Sequence, residues 1–497
     1  MFWPALILFA GGIAGLFFLD RDKTARTSAA FWIPLLWIWI AGSRPVTSWW
    51  SATPTAGVPA GGLDSTLDGN PVDAAIYALL LLLGVAILFA RGKKTTKLLK
   101  AGWPVTLFFT YCLLSAMWSP FPETAFKRWT KAVGDVVMVL ILVTEIEPMV
   151  ALRSLFSTIS FILMPLSVFL IRYTDIGRTY DAAFQPANVG VTTNKNTLGL
   201  IVFILSLGIL WNFRNLYNNR KIPNRGRRLL AQGVTFAFGA YLLQQAHSAT
   251  SVLCLILGGG LMFATGLSAI KKRPGRVLAL CLVVVLAGGA TILFGGQSDL
   301  STALGRGSGL SGRTDIWAAS IASAGNPIIG SGFESFWNAN SKKVGDNLIL
   351  RGFSKDVVLD LVSAHNGYLE VYLDLGLVGL GLIVLILLSG YRSASKAFQR
   401  DPGFSGLMLA YIVTSTFYSV TEAGFRMLTP SWIFLVLAVV STSGMAAGLV
   451  QESSQPAGLA PASPQPPVRP FPKPQQANRI LAGGRASGPL PGLGPKY

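Results

Sequence analysis

The chain offers few side chains able to do chemistry outside an apolar setting. It has two histidines, His247 in QQAHSATS and His365 in SAHNGYLEVYLDLGLVGL. Histidine exchanges a proton near neutral pH, which suits a loop base. A loop histidine can equally be a solvated one, and His247, at the end of an apolar run, reads as a packed polar residue. Arg313 lies among small residues in SGRTDIW, with Trp317 as an anchor; its plainer reading is an ion pair with Asp315 or another loop acid. A second polar segment, 172–195, contributes Arg172, Arg178 and Lys195. A guanidinium is a planar, bidentate donor that keeps its charge, so such arginines suit a diphosphate. Asn188, Asn194 and Asn196 either hydrogen-bond sugar hydroxyls or serve as turn and cap residues. Asn366 and Tyr368 follow His365, where a helix starts whose amides and positive dipole end favour an anion. Glu370 and Asp374 on that helix fit the same dipole; a buried, proton-holding Glu370 is the alternative.

Other chemistries lack their residues. No HExxH, outward carboxylate pair or Cys/His cluster is placed to hold a metal, and no cofactor is expected. GRGSG at 305–309 follows no strand, so it reads as a linker, not as a nucleotide-binding loop. The three cysteines, Cys112, Cys254 and Cys281, all sit in apolar runs without CxxC spacing.

The elements that must position these groups are membrane helices. Of the 497 residues 52% are hydrophobic and only 13% charged, with a mean hydropathy of +0.53. Apolar runs near the ~20 residues that cross a bilayer recur along the chain. In lipid such runs must be helical, because no water satisfies the backbone. The fold class is therefore an all-α polytopic membrane protein. Its expected spans are roughly 2–19, 29–42, 72–90, 103–118, 132–146, 154–171, 196–213, 229–246, 250–270, 277–295, 368–390, 404–420 and 431–449. The count is thirteen, or twelve if the short Trp-rich second run is interfacial or re-entrant. The first run has no basic stretch before it and reads as a retained span.

Net charge is +19, but the basic residues crowd the short loops after odd-numbered spans, such as 91–100, 214–228 and 271–276. By the positive-inside rule those loops face the cytoplasm, and nucleic acid is not an expected partner. The opposite loops, 43–71, 172–195, 296–367 and 421–430, then lie outside. Lys127, Arg128 and Lys131 are expected at lipid headgroups. Residues 1–450 form the transmembrane domain; 451–497, rich in proline, reads as a disordered cytoplasmic tail.

SGRTDIW, NPIIGSGFESF and AHNGYLEVYLDLGLVGL, in that order, resemble the bacterial O-antigen ligase and Wzy-type polysaccharide polymerase family. The likeness covers about 235–390, and GRTYDAAFQPANVGVTTNKNTLG extends it towards the ExoQ-type exopolysaccharide polymerases. The resemblance implies a GT-C-like fold with a large periplasmic loop, here 296–367, in the bacterial inner membrane. It also implies metal-independent, inverting transfer from an undecaprenyl-diphosphate-linked oligosaccharide. Arginines of two outer loops hold the diphosphate and a histidine assists the acceptor. His365 and Arg313 fall on the motif positions, with Arg178, favoured over Arg172, from the first loop. Arg172, Asn188, Asn194, Lys195, Asn196, Asn366 and Tyr368 are the expected substrate contacts. Membrane lipids, and other polysaccharide-assembly and chain-length proteins, are the expected partners. Polymerisation of repeat units is the leading expectation, ligation to another acceptor the second, and a flippase for the same lipid-linked sugars the alternative of another class.

Overall fold

In the computed structural model, residues 2–22, 26–50, 70–180, 186–267, 311–353 and 363–450 are described below. They belong to one unit, residues 1–453. The expected span 277–295, the 305–309 linker and the tail 451–497 lie outside the described residues.

Each of the other twelve expected spans falls on a helix. These are α1 (Phe2–Asp20), α2 (Trp32–Ala41), α3 (Pro71–Ala101), α4 (Trp103–Ser115), α5 (Pro122–Thr144), α6 (Pro148–Tyr173), α7 (Lys195–Asn218), α8 (Arg225–Ala246), α9 (Ala249–Ala264), and, after two helices of the long loop, α12 (Gly367–Ala397), α13 (Pro402–Thr421) and α14 (Pro430–Ala446). By length and apolar composition, α1, α3, α6, α7, α12 and α13 can each cross a membrane. At ten residues, α2 reaches only ~15 Å, half of a ~30 Å hydrocarbon core. It enters the bundle without crossing it alone, and Trp37 is fully buried there.

Local chemistry sets the helix starts. Proline, which needs no N–H partner at a first turn, opens α3, α5, α6, α13 and α14. Asn70, Asn194, Asn366 and Asp401 cap α3, α7, α12 and α13 by accepting from backbone N–H groups. At the centre stands α14, apolar on every side and buried from Pro430 to Met445. It packs against α3, α5, α7, α12 and α13. At the margin, α1 buries only Ala5 and Leu16, against α6 and α8.

The described part of the long loop before α12 is folded. Its helices α10 (Ser311–Ala322) and α11 (Phe336–Leu350) share a small core of Ala319, Phe336, Trp337, Val344, Leu348, Ala364 and Leu373, the last from α12. It is moored to a break in α12 at Gly376, where φ is +67°. Pro327 and Ile328 carbonyls accept from the N–H groups of Leu377 and Val378, while Ser331 and Gly332 donate to the carbonyls of Leu373 and Asp374. The groups freed by the break are thus satisfied by the PIIGSG segment. A Cβ on Gly376 would strike the carbonyl of Ile328, and one on Gly330 the backbone of Asp374. The glycines permit this close approach as well as the positive φ values.

Candidate active site

Loops from the same end of the helices meet on a residue that the sequence did not single out, Glu422. It follows the last turn of α13 in extended backbone. Its Oε1 accepts from Asn196 Nδ2 at 3.0 Å and from Arg313 Nη2 at 3.2 Å; its Oε2 lies 3.3 Å from His365 Nδ1. Its main-chain carbonyl accepts from Gly367 N at 3.0 Å. Three separate segments, the starts of α7, α10 and α12, are tied to one carboxylate.

Each segment is held by its own device. On α10, Arg313 and Trp317 are four residues apart and so share a face. Trp317 Nε1 donates to Ala364 O at 2.8 Å, and Arg313 Nη1 donates to Thr421 O. The turn before α12 is clamped by Glu370. Its Oε1 accepts from Ser363 Oγ and Ala364 N, and its Oε2 from Trp337 Nε1, at 2.6–2.8 Å. His365 sits just past that clamp with φ of +50°. Glu370 and Asp374 are therefore structural: Asp374 Oδ1 accepts from Ser335 N and Phe336 N, capping α11, and both carboxylates are buried. Glu370 stands in the first turn of α12, as the dipole reading expects.

Beside this centre is a buried ion pair, Arg426 to Glu334 at 2.8 Å. Arg128 donates to Glu334 O and to Asn338 Oδ1. It is 1% exposed, which corrects its expected place at lipid headgroups. Lys127 is exposed and paired with Glu123. Of the loop acids expected for Arg313, Asp315 pairs with Arg351, and Glu422 is the one that Arg313 meets.

Charge is well matched around Glu422. Burial alone would raise its pKa, but the hydrogen bond and charge of His365 and the charge of Arg313 outweigh that and leave it below the usual glutamate range. It is an anion at neutral pH. Burial would lower the pKa of Arg426, but Glu334 and the other carboxylates nearby raise it, so it keeps its proton. The His365 side chain is 42% exposed, against 11% for Glu422 and 18% for Arg313. The histidine is thus the open edge of the centre.

The other expected site residues lie elsewhere. Arg178 is on β1 (Arg178–Tyr180), which pairs antiparallel with β2 (Pro186–Asn188), and it is exposed. It contacts Thr174 O and Asp175 Oδ1. Asn188, opposite it in register, donates to Gln245. Arg172 Nε donates to Tyr241 Oη at 2.7 Å. Asn194 caps α7, and Lys195 is the first residue of that helix. Asn366 caps α12, and Tyr368 donates to Thr416 O and packs edge-on against Phe425. His247 is exposed, ending α8 with φ of +47°, and is not packed as expected. Arg44, also unremarked in the sequence, braces the 172–195 loop. Its guanidinium donates to the carbonyls of Ile176, Gly190, Val191 and Thr192, and burial lowers its pKa to about 10.

The histidine and the arginine of this centre lie within the part of the chain that matches a known family, and its carboxylate lies beyond it. Residues 233–384 match the O-antigen ligase family model. This segment is similar to the O-antigen ligases. The chain is also 26% identical over 311 residues to the exopolysaccharide production protein ExoQ of Rhizobium meliloti (strain 1021). That similarity covers 59% of this chain and 66% of the ExoQ protein, just short of two thirds. Arg313, the PIIGSG mooring, His365 and Gly376 all fall inside the O-antigen ligase segment, whereas Asn196 and Glu422 lie on either side of it. The signal that could have revealed Glu422 is TEAGFR, an acid and an arginine in a short loop between two apolar runs.

Proposed function

We propose that this protein is a membrane glycosyltransferase that joins undecaprenyl-diphosphate-linked oligosaccharide units into exopolysaccharide, working on the periplasmic face of the inner membrane. The observation that carries this reading is the convergence of His365, Arg313 and Asn196 on Glu422. With anionic Glu422 accepting at Nδ1, the base form of the ring would carry its one proton there and present a bare Nε2. That is the arrangement by which a carboxylate sets the tautomer of a general base.

In the proposed reaction, an acceptor sugar hydroxyl attacks the anomeric carbon of the donor from the face opposite the diphosphate. The new glycosidic bond forms as the bond to the phosphate oxygen breaks, and the diphosphate leaves with the electron pair. His365 Nε2 takes the hydroxyl proton, and Glu422 stabilises the resulting imidazolium. Arg313, fixed by Thr421 O and Glu422, directs positive charge towards the departing diphosphate. Arg178, exposed on its hairpin and paired there with Asp175, would supply the first-loop guanidinium for the same anion. A well-placed base contributes ~10²–10⁴ in rate, and a fixed charge donor ~10²–10³.

A second reading, ligation of a finished lipid-linked glycan to another acceptor, is favoured by the description of the matched family. The chemistry is the same and the acceptor differs. Reconstitution with a lipid-linked repeat unit separates the two: longer glycans support polymerisation, and transfer only to an added acceptor lipid supports ligation. Movement of donor across the bilayer without bond formation would refute both.

A further inference from the structure

Arg172 stands apart from the centre at Glu422 and heads an open-sided trough between α1, α6 and α8. The trough, about 680 Å³, is lined by Phe9, Val168, Tyr173, Val234, Ala237, Phe238 and Tyr241. That size lies in the ~300–1,000 Å³ range of small-ligand sites. Val234, Ala237, Phe238 and Tyr241 recur at helical spacing, so the apolar face follows α8 for ~10 Å away from the arginine. The guanidinium is exposed and lies 5.6 Å above the Tyr241 ring, with Nε on its hydroxyl. Among the described residues no carboxylate pairs with it. A cation at the mouth of an apolar trough, beside Tyr173 and Tyr241, matches an amphiphile with an anionic head and a hydrocarbon tail. The side of a membrane bundle is where such a molecule is met.

We infer that this trough is a site for an anionic glycerophospholipid, its phosphate on Arg172 and one acyl chain lying along Val168, Val234 and Phe238. Arg172 and Tyr241 make no contact with Glu422, His365, Arg313 or Asn196, so the inference does not depend on the transferase reading. A fixed lipid here would fasten α1, which buries little of its own surface, to α6 and α8.

The test is native mass spectrometry of the purified full-length protein, delipidated and then exposed to equal phosphatidylglycerol and phosphatidylcholine of the same chain length. The wild type is expected to retain one phosphatidylglycerol at least about tenfold in preference, a free-energy difference of ~1.4 kcal/mol. Arg172→Gln is expected to abolish the preference, Arg172→Lys to keep most of it, and Ala237→Trp, which fills the trough, to lose the retained lipid. Should Ala237→Trp fail to fold, Val234→Phe serves in its place. Arg351→Gln, a surface charge change on the outer loop, should alter nothing. Equal retention by Arg172→Gln and the wild type would overturn the inference. So would one-for-one displacement of the phosphatidylglycerol by undecaprenyl phosphate at equal concentration, which would make the trough a site for the donor's tail.

Discussion

Replacing Glu422 by glutamine keeps the volume of the hub and removes its charge. At present two carboxylate oxygens receive Asn196, Arg313 and His365 at 3.0–3.3 Å. A glutamine offers one oxygen, and its NH2 meets whichever donor faced the other. A hydrogen bond to a charged group is worth ~1.5–3 kcal/mol. Arg313 keeps its bond to Thr421 O, and the His365 share is discounted because its side chain is 42% exposed. The net loss of site organisation is then about 2–3 kcal/mol, or on the order of 30- to 150-fold in rate at ~1.4 kcal/mol per tenfold. If the carboxylate also sets the histidine tautomer, the loss extends towards the ~10⁴-fold known for triad carboxylates. The assay is single-turnover transfer in proteoliposomes at saturating donor, alongside the melting temperature of the variant. Glu422→Asp, charged but shorter, should fall between. A folded Glu422→Gln protein turning over within about threefold of the wild type, less than ~0.7 kcal/mol, would refute the assignment of Glu422 as the organiser.

Further predictions follow from the surrounding contacts. Arg426→Met leaves Glu334 buried without its cation and should destabilise the protein by about 3–5 kcal/mol, while Glu334→Gln with Arg426→Met should recover part of it; chemical denaturation in detergent measures both. Gly376→Ala imposes a side chain at φ of +67°, against the Ile328 carbonyl, and should cost about 1–3 kcal/mol and expose the 326–332 segment to limited proteolysis. The pKa of Glu422 is lowered in the folded protein, so its stabilising contribution is complete above the unfolded value and fades as pH falls through the folded one. The melting-temperature gap between wild type and Glu422→Gln should therefore be constant near neutrality and close below about pH 4.

The membrane helices were legible because the bilayer fixes the length and apolarity of a span independently of tertiary detail. The motif residues were legible too: Arg313 and His365, 52 positions apart, do share Glu422. What escaped was whatever depends on long-range contact. Glu422 looks, in sequence, like any acid beyond a helix end; only the packing of α7, α10 and α12 around it makes it a hub. Arg128 stands in a basic run that reads as headgroup-facing, yet it is buried under Glu334 O. Asn194 carried two readings, and its contacts are those of a helix cap; Asn366, expected as a substrate contact, also caps a helix. His247 was read as packed because an apolar run precedes it, but the left-handed turn between α8 and α9 puts it in the open. The PIIGSG glycines show the reverse case. Their spacing was visible in sequence, and its cause, a backbone-to-backbone mooring on the broken α12, was not.

The most direct test of the transferase reading is to supply the purified, reconstituted protein with a lipid-linked repeat unit and follow glycan length together with released undecaprenyl diphosphate. The wild type should yield longer glycans and one diphosphate lipid per bond formed, and His365→Ala should lower both by at least about a hundredfold. Near-normal transfer by folded His365→Ala or Arg313→Ala proteins, or donor consumption by the wild type without a new glycosidic bond, would contradict it.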